Sequence, residues 1–107
     1  MSRPEEAPTP LVGILIGSES DREAIEPAVD ELNERGISNE LRVLSAHRDP
    51  RAVAEYASTA ALRGVRVIIA GAGMAAALPG VVASYSDLPV IGVPLTSSKS
   101  AAGGLDA

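Results

Sequence analysis

The one histidine of the chain stands between a hydroxyl and a guanidinium, in the segment Ser45-Ala46-His47-Arg48. Histidine is the side chain whose ordinary pKa lies near neutral pH, so it can exchange protons under physiological conditions. Arginine is the usual planar partner of phosphate or carboxylate groups. The segment therefore indicates a proton-transfer group beside an anion-binding group. The alternative interpretation is a polar turn at the end of a strand.

A second polar segment, residues 17–21, has the features of a phosphate-binding loop. Gly17 lets a ligand approach the backbone, and Ser18 and Ser20 offer hydroxyls. A helix that starts here would add free N–H groups and the positive end of its dipole. Asp21 would repel a phosphate, but it could accept hydrogen bonds from ribose hydroxyls. The alternative interpretation is helix capping by Ser20.

A glycine-rich segment, residues 71–76, nearly fits the dinucleotide fingerprint G-x-G-x-x-G/A. That fingerprint normally follows the first strand and opens a helix, whereas this segment follows the third predicted strand and Pro79 delays the helix. No acidic residue stands at the ribose-binding distance, which argues against NAD or FAD. We predict that Gly71, Ala72 and Gly73 belong to a bare turn. It could receive a carboxylate or carbon dioxide, or it could be a tight connection between a strand and a helix.

Composition limits the fold and the partners. The chain has 107 residues, which suggests one domain, and its hydrophobic fraction of 46% includes no Phe, Trp or Cys. The net charge of -5 argues against nucleic-acid binding, and one histidine without cysteine argues against a metal site of several histidines or thiolates. Since neither a long apolar run nor a signal-peptide pattern is present, we expect no membrane partner and a cytoplasmic location.

Hydrophobic periodicity predicts four strands that alternate with three helices. The strands are expected at residues 11–16, 40–44, 65–70 and 89–93. The helices are expected from a capping box at Ser20 and Glu23 to Gly36, from Asp49-Pro50 to Gly64, and from Pro79 to about Tyr85. This order predicts an α/β fold with a three-layer, doubly wound parallel sheet of the Rossmann-like or flavodoxin-like kind. Residues 1–10 are expected to form a flexible tail before the α/β domain of residues 11–107.

A polar or glycine-rich segment follows each predicted strand. These segments are residues 17–21, 45–49, 71–74 and 94–98. Ligands of open parallel sheets bind outside the carboxyl ends of the strands, so all four segments are expected at one edge. We therefore predict a single binding site at that edge. Arg63 and Arg66, which flank Gly64 at the opposite edge, are expected to be solvated surface.

Several motifs occur in the same order as in a known family, namely residues 17–21, 45–48, 70–76, 78–80 and 89–94. Together they resemble PurE, the N5-carboxyaminoimidazole ribonucleotide mutases of purine biosynthesis. The resemblance implies an isomerase that moves a carboxyl group from N5 to C4 of an aminoimidazole ribonucleotide without a metal or organic cofactor. The motif with Arg48 resembles the mutase branch of the family. The related carboxylase branch usually carries lysine at this position.

The resemblance also implies roles for individual residues. His47 would be the general acid and base, giving a proton to the departing nitrogen and later removing one from C4. Ser18, Ser45 and Arg48 would hold the phosphate, and Asp21 the ribose. The other substrate contacts that it implies are Gly17, Ser20, Ala46, Gly71, Ala72 and Gly73.

Two features differ from the family pattern. Many members carry a histidine where this chain has Ala77. Members also continue past the position of Ala107 with a strand, a loop over the site and a helix used in assembly, so the C-terminal part of the family domain is expected to be absent. Family members form octamers whose sites combine residues of several subunits, which implies a homo-oligomer.

Two other functions stay open from the sequence. One is a related nucleotide carboxylase or decarboxylase on the same scaffold, such as the PurE-like domain of a nickel-pincer cofactor pathway. The other is a catalytically silent nucleotide-binding or assembly module. Turnover of the N-carboxylated ribonucleotide would separate the mutase from both.

Overall fold

The computed structural model describes residues 9–73 and 77–95, and its elements follow the predicted order. The strands are β1 (Val12–Ile16), β2 (Asn39–Val43), β3 (Val67–Ala72) and β4 (Val90–Pro94). The helices are α1 (Arg22–Glu34), α2 (Pro50–Thr59) and α3 (Leu78–Tyr85), with short 3-10 turns at Glu19–Asp21 and Ala61–Arg63. Most predicted ends lie within one or two residues of these bounds. The predictions for the tail and for the segment after Pro94 fall largely outside the described ranges.

The four strands form one parallel sheet in the order β2-β1-β3-β4. This is the flavodoxin-like order, since in the Rossmann order the first strand lies between the second and the fourth. The chain first moves from β1 to β2 and then crosses back to β3, so its direction across the sheet reverses. The switch point lies between β1 and β3, where such sheets form their ligand crevice.

Alternate strand residues build an apolar layer on each face of the sheet. On one face α1 packs on β1 and the residue after β4, through Val12, Ile14, Ile16, Ile25 and Leu95. On the other face α2 and α3 pack on the sheet through Leu15, Val53, Tyr56, Ala57, Ala60, Val65, Ile68, Ala70, Ala72, Leu78 and Val82. Helices on both faces confirm the three-layer prediction. In the described part of the chain, no helix combines the length and apolarity needed to cross a membrane.

Local sequence explains two of the helix ends. Pro50 occupies the first turn of α2, and the Asp49 carboxylate accepts a hydrogen bond from a backbone N–H of that turn at 3.1 Å. After α1, Gly36 adopts a φ of 70° and the Ile37 N–H donates to the Leu32 carbonyl at 2.9 Å. This left-handed glycine satisfies carbonyls that the end of α1 would leave unpaired. Both ends were predicted and are confirmed.

The predicted capping box of Ser20 and Glu23 is wrong. Ser20 lies inside the 3-10 turn that precedes α1, and its hydroxyl lies 2.9 Å from Ser18 Oγ. Ser18 caps the turn instead, because its Oγ accepts a hydrogen bond from the Ser20 N–H at 3.2 Å. Asp21 precedes α1 and makes no side-chain capping bond.

The predicted turn at Gly71 and Ala72 is also wrong. Both residues are buried and belong to β3, which is two residues longer at this end than predicted. In register, Gly71 stands between Ile16 and Val93, and Ala72 stands beside Pro94. Pairing on both sides of an inner strand outweighs the local turn preference of glycine.

A polar cluster of Glu40, Tyr56 and Arg63 joins β2 to α2 near the amino ends of the strands. The Glu40 carboxylate accepts hydrogen bonds from the Tyr56 hydroxyl at 2.5 Å and from Arg63 Nη2 at 2.7 Å. The Arg63 guanidinium also lies 5.1 Å from the centre of the Tyr56 ring. Arg63 is exposed, as predicted, but the prediction missed its ion pair with Glu40.

Candidate active site

The loops that follow β1, β2 and β3 begin side by side at one edge of the sheet. Ile16, Val43 and Gly71 are aligned in the register at this edge. The Leu44 N–H donates to the Ile16 carbonyl at 2.8 Å, which holds the start of the second loop against the first. Three of the four predicted segments thus start at a common edge. The fourth begins there too, since β4 ends beside β3, but it is described only as far as Leu95.

His47 lies in a hydrogen-bonded turn between β2 and α2. Ser45 Oγ accepts a hydrogen bond from the Arg48 N–H at 3.2 Å, and the Ser45 carbonyl accepts one from the Asp49 N–H at 2.9 Å. His47 and Arg48 are both exposed, while Ala46 packs against the apolar layer of α2 and α3. The turn therefore has an apolar anchor and presents an imidazole and a guanidinium to solvent. As an acceptor in this bond, the Ser45 hydroxyl keeps a hydrogen that it can donate.

The loop after β1 presents hydroxyls next to a half-buried carboxyl group. Ser18 and Ser20 are exposed, and the Ser18 carbonyl accepts a hydrogen bond from the Asp21 N–H at 3.0 Å. Burial raises the pKa of the Asp21 carboxyl. A hydrogen bond of this carboxyl with the Ser18 backbone lowers the pKa by a smaller amount. The hydroxyls suit a phosphate, and the carboxyl group suits a partner with hydroxyl donors.

Gly17 and Gly73 differ in what their missing side chains would touch. A Cβ atom on Gly17 would meet none of the described atoms within 4 Å, so this position is open on the protein side. A Cβ atom on Gly73 would lie 2.5 Å from the Leu95 carbonyl oxygen, so glycine permits a close approach of the segment after β4. Gly71 and Ala72 lie at the end of β3, and Gly73 directly follows it.

Two further features bear on the chemistry of this edge. Ala77, the position for which the resemblance implies a histidine in many relatives, is exposed and directly precedes α3, so it holds no polar side chain. Within residues 9–73 and 77–95, no group of three or more His, Asp or Glu side chains is arranged to hold a metal ion.

A flavodoxin-like sheet with a hydroxyl-rich loop after β1 and a histidine-arginine turn after β2 defines an α/β protein with a candidate binding site at the carboxyl ends of its strands. A family model described as AIR carboxylase matches residues 11–107. The chain belongs to this AIR carboxylase family, as the motifs predicted.

Named relatives support the same assignment. The N5-carboxyaminoimidazole ribonucleotide mutase of Aquifex aeolicus is 53% identical over 97 residues, covering 91% of this chain and 57% of that protein. The mutase of Bacillus subtilis is 56% identical over 88 residues, covering 82% and 54%. The crystal structure of Treponema denticola PurE matches with a TM-score of 0.79 and 34% identity, covering 91% of this chain and 61% of that chain. The chain spans little more than half the length of the curated relatives it matches.

Proposed function

We propose that this chain carries the substrate site of an N5-carboxyaminoimidazole ribonucleotide mutase. The observation that supports it most is that the loop at residues 17–21 and the His47 turn start at the same edge of the sheet. The chain that carries them is 53% identical to a curated mutase. The proposed reaction moves a carboxyl group from N5 to C4 of the aminoimidazole ribonucleotide.

The proposed chemistry needs one group that both gives and takes a proton. The bond between N5 and the carboxyl carbon breaks, carbon dioxide leaves, and N5 receives a proton from His47. The carbon dioxide then forms a bond with C4, and His47 removes the proton that C4 carried. Substrate and product are isomers, so no oxidant, reductant or water is consumed. Proton transfer by a positioned histidine accelerates such a step by about a hundredfold to ten-thousandfold.

The substrate contacts of the proposal divide between the two loops. Ser18, Ser45 and Arg48 hold the phosphate through hydroxyl donors and a guanidinium. Asp21 binds ribose hydroxyls, and Gly17 allows the nucleotide to approach the backbone. The exposed hydroxyls of the first loop and the exposed guanidinium of the turn support these roles.

In this proposal the remaining predicted site residues shape the site rather than hold the phosphate or ribose. Ser20 acts through its hydroxyl contact with Ser18 Oγ. Ala46 anchors the turn that carries His47 through its packing against the apolar layer. The backbone from Gly71 through Ala72 to Gly73 forms the wall that receives the carboxyl group or carbon dioxide.

Turnover of the N-carboxylated ribonucleotide tests the proposal. The wild-type chain is given this substrate and the C4-carboxylated product is followed by chromatography. His47→Asn should lower kcat by at least about a hundredfold, because it removes the proton-transfer group. Tyr85→Phe, a change on an exposed ring of α3, serves as the control and should keep full activity. Absence of turnover in the wild type, or normal turnover in H47N, would contradict the mutase assignment.

The description of the family favours a second candidate, carboxylation of aminoimidazole ribonucleotide by free carbon dioxide. Supplying aminoimidazole ribonucleotide with bicarbonate, without the N-carboxylated compound, separates the two. Product from this mixture at a rate matching the N-carboxylated substrate would favour the carboxylase. Calorimetric binding of the ribonucleotide without turnover would instead identify a silent binding module.

The proposal includes a homo-oligomeric state and a cytoplasmic location. Both come from the mutases that the chain resembles. Analytical ultracentrifugation of the chain, with and without the ribonucleotide, checks the first part, and a monomer under both conditions would contradict it.

A further inference from the structure

The turn that carries His47 lies between two elements that are also joined at their far ends. We propose that Tyr56 and Glu40 are positioning residues for this turn, because their hydrogen bond fixes α2 relative to β2. The expected effect on turnover rests on the proposed function, whereas the expected effect on the order of the turn does not.

Hydrogen bonds hold both ends of the turn, one to β1 and one at the start of α2. The Leu44 N–H bonds the Ile16 carbonyl at 2.8 Å, which fixes the start of the turn on the sheet. The Asp49 N–H bonds the Ser45 carbonyl at 2.9 Å, and the Asp49 carboxylate caps α2. The position of His47 relative to the sheet therefore depends on where α2 lies along β2.

At the far end, the Tyr56 hydroxyl donates to Glu40 Oε2 at 2.5 Å, across 16 positions of sequence. Tyr56 lies seven residues after Asp49, about 10 Å along the helix. Glu40 lies three residues before the end of β2, about 10 Å along the strand. The hydrogen bonds of the turn and the Tyr56–Glu40 hydrogen bond thus hold α2 against the sheet at two separate places.

Two arginine side chains surround the Tyr56–Glu40 hydrogen bond. Arg63 binds the Glu40 carboxylate at 2.7 Å and lies over the Tyr56 ring, and the Arg42 guanidinium lies 5.8 Å from the same ring. Tyr56 is only 6% exposed. A buried ring with a directed hydrogen bond resists sliding of the helix, whereas apolar contacts alone are non-directional. The precision matters because a displacement of about 1 Å can lower a rate a hundredfold.

Tyr56→Phe tests the inference, since it removes the hydroxyl and keeps the ring. NMR order parameters of the backbone amides at residues 45–49 should fall from the rigid value of about 0.85 toward about 0.6, while those of α3 stay unchanged. Turnover should fall about tenfold, because a displacement of His47 by a fraction of an ångström already lowers the rate. Glu40→Ala should reproduce both effects, and the double variant should be no worse than either single variant. Tyr85→Phe is the matched control and should change neither readout.

Val82→Ala is the control for a general loss of stability. Val82 is fully buried under α3, so this change opens a cavity away from the turn. It is compared with Tyr56→Phe at equal free energy of unfolding, adjusted with urea. Equal disorder of residues 45–49 in both variants, or no change in Tyr56→Phe, would overturn the inference. Increased disorder with unchanged kcat would also overturn it. A wild type without turnover would count against the proposed function alone, since the order parameters are measured without substrate.

Discussion

The hydroxyl of Tyr56 occupies the space above Gly13 where the Cβ atom of any other residue would overlap it. Gly13 is buried in β1, and its partner in the register is Glu40, which accepts the hydrogen bond from that hydroxyl. Glycine inside a strand costs about 0.5–1 kcal/mol relative to alanine. Here it leaves room for the hydrogen bond by which Tyr56 joins α2 to β2.

Gly13→Ala should destabilise the fold by about 1–3 kcal/mol, because the new methyl group collides with the Tyr56 hydroxyl. Tyr56→Phe removes the colliding atom, so the double variant should lose less stability than the sum of the single losses. Urea unfolding of the four proteins measures this coupling. Additive losses would show that the two side chains do not compete for the same space.

Glu40 should make stability depend on pH in the acid range. Hydrogen bonding from Arg63 is the main cause that holds the pKa of Glu40 below its ordinary value of 4.5, with Tyr56 adding to it and burial opposing it. The lowered pKa means that the carboxylate stabilises the fold fully above pH 4.5 and that this contribution disappears as pH falls through the folded pKa.

Glu40→Gln should therefore cost about 1 kcal/mol at neutral pH, since the cluster is partly exposed. The difference from the wild type should vanish well below pH 4.5. Glu31→Gln is the matched control, because Glu31 forms an exposed pair with Arg35 at 2.6 Å, and it should change stability by less than about 0.5 kcal/mol. A pH-independent difference for Glu40→Gln would contradict this assignment.

Asp21 should have the opposite effect on stability. Burial raises the pKa of this carboxyl, so its contribution is present below its ordinary value of 3.8 and is lost as pH rises through the folded pKa. Asp21→Asn should then be more stable than the wild type at neutral pH and equal to it in acid. Thermal unfolding across this pH range is the measurement. A less stable D21N at neutral pH would show that the charged form is favoured instead.

Gly17→Ala should separate binding from folding. Its Cβ atom would meet none of the described protein atoms within 4 Å, so the free energy of unfolding should change by less than about 0.5 kcal/mol. If the nucleotide approaches the backbone here, calorimetry should show affinity about tenfold weaker, equivalent to about 1.4 kcal/mol. Gly80→Ala, also open and within α3, is the control and should stabilise by about 0.5–1 kcal/mol without affecting binding. Equal affinity in all three proteins would remove Gly17 from the site.

Local pattern was enough to predict the element order and the sheet class. The apolar run that ends at Ile16 and the Asp49-Pro50 start of α2 carry their own signals, and both are confirmed. The parallel sheet then brings the strand ends to one edge, so the location of the candidate site follows from topology. The individual roles of His47 and its neighbours stay predictions, because they depend on a substrate.

The extension of β3 and the polar cluster depend on contacts between residues far apart in sequence, whereas the wrong helix cap is a local error. Gly71 extends β3 because strands pair with it on both sides, which a glycine-rich segment does not reveal. The choice of Ser18 over Ser20 as a cap depends on a single 3-10 turn. Glu40, Tyr56 and Arg63 are far apart in sequence, and their only sign was a carboxylate in a strand and a hydroxyl on the buried stripe of α2.

The chain contains two tyrosines and no tryptophan or phenylalanine. Tyr56 is 6% exposed and bonded to a carboxylate, whereas Tyr85 is 53% exposed. Near-ultraviolet circular dichroism depends on fixed packing around aromatic rings, so Tyr56 should dominate the spectrum. The near-ultraviolet signal of Tyr56 should therefore report, without any label, on the contact between α2 and the start of β2.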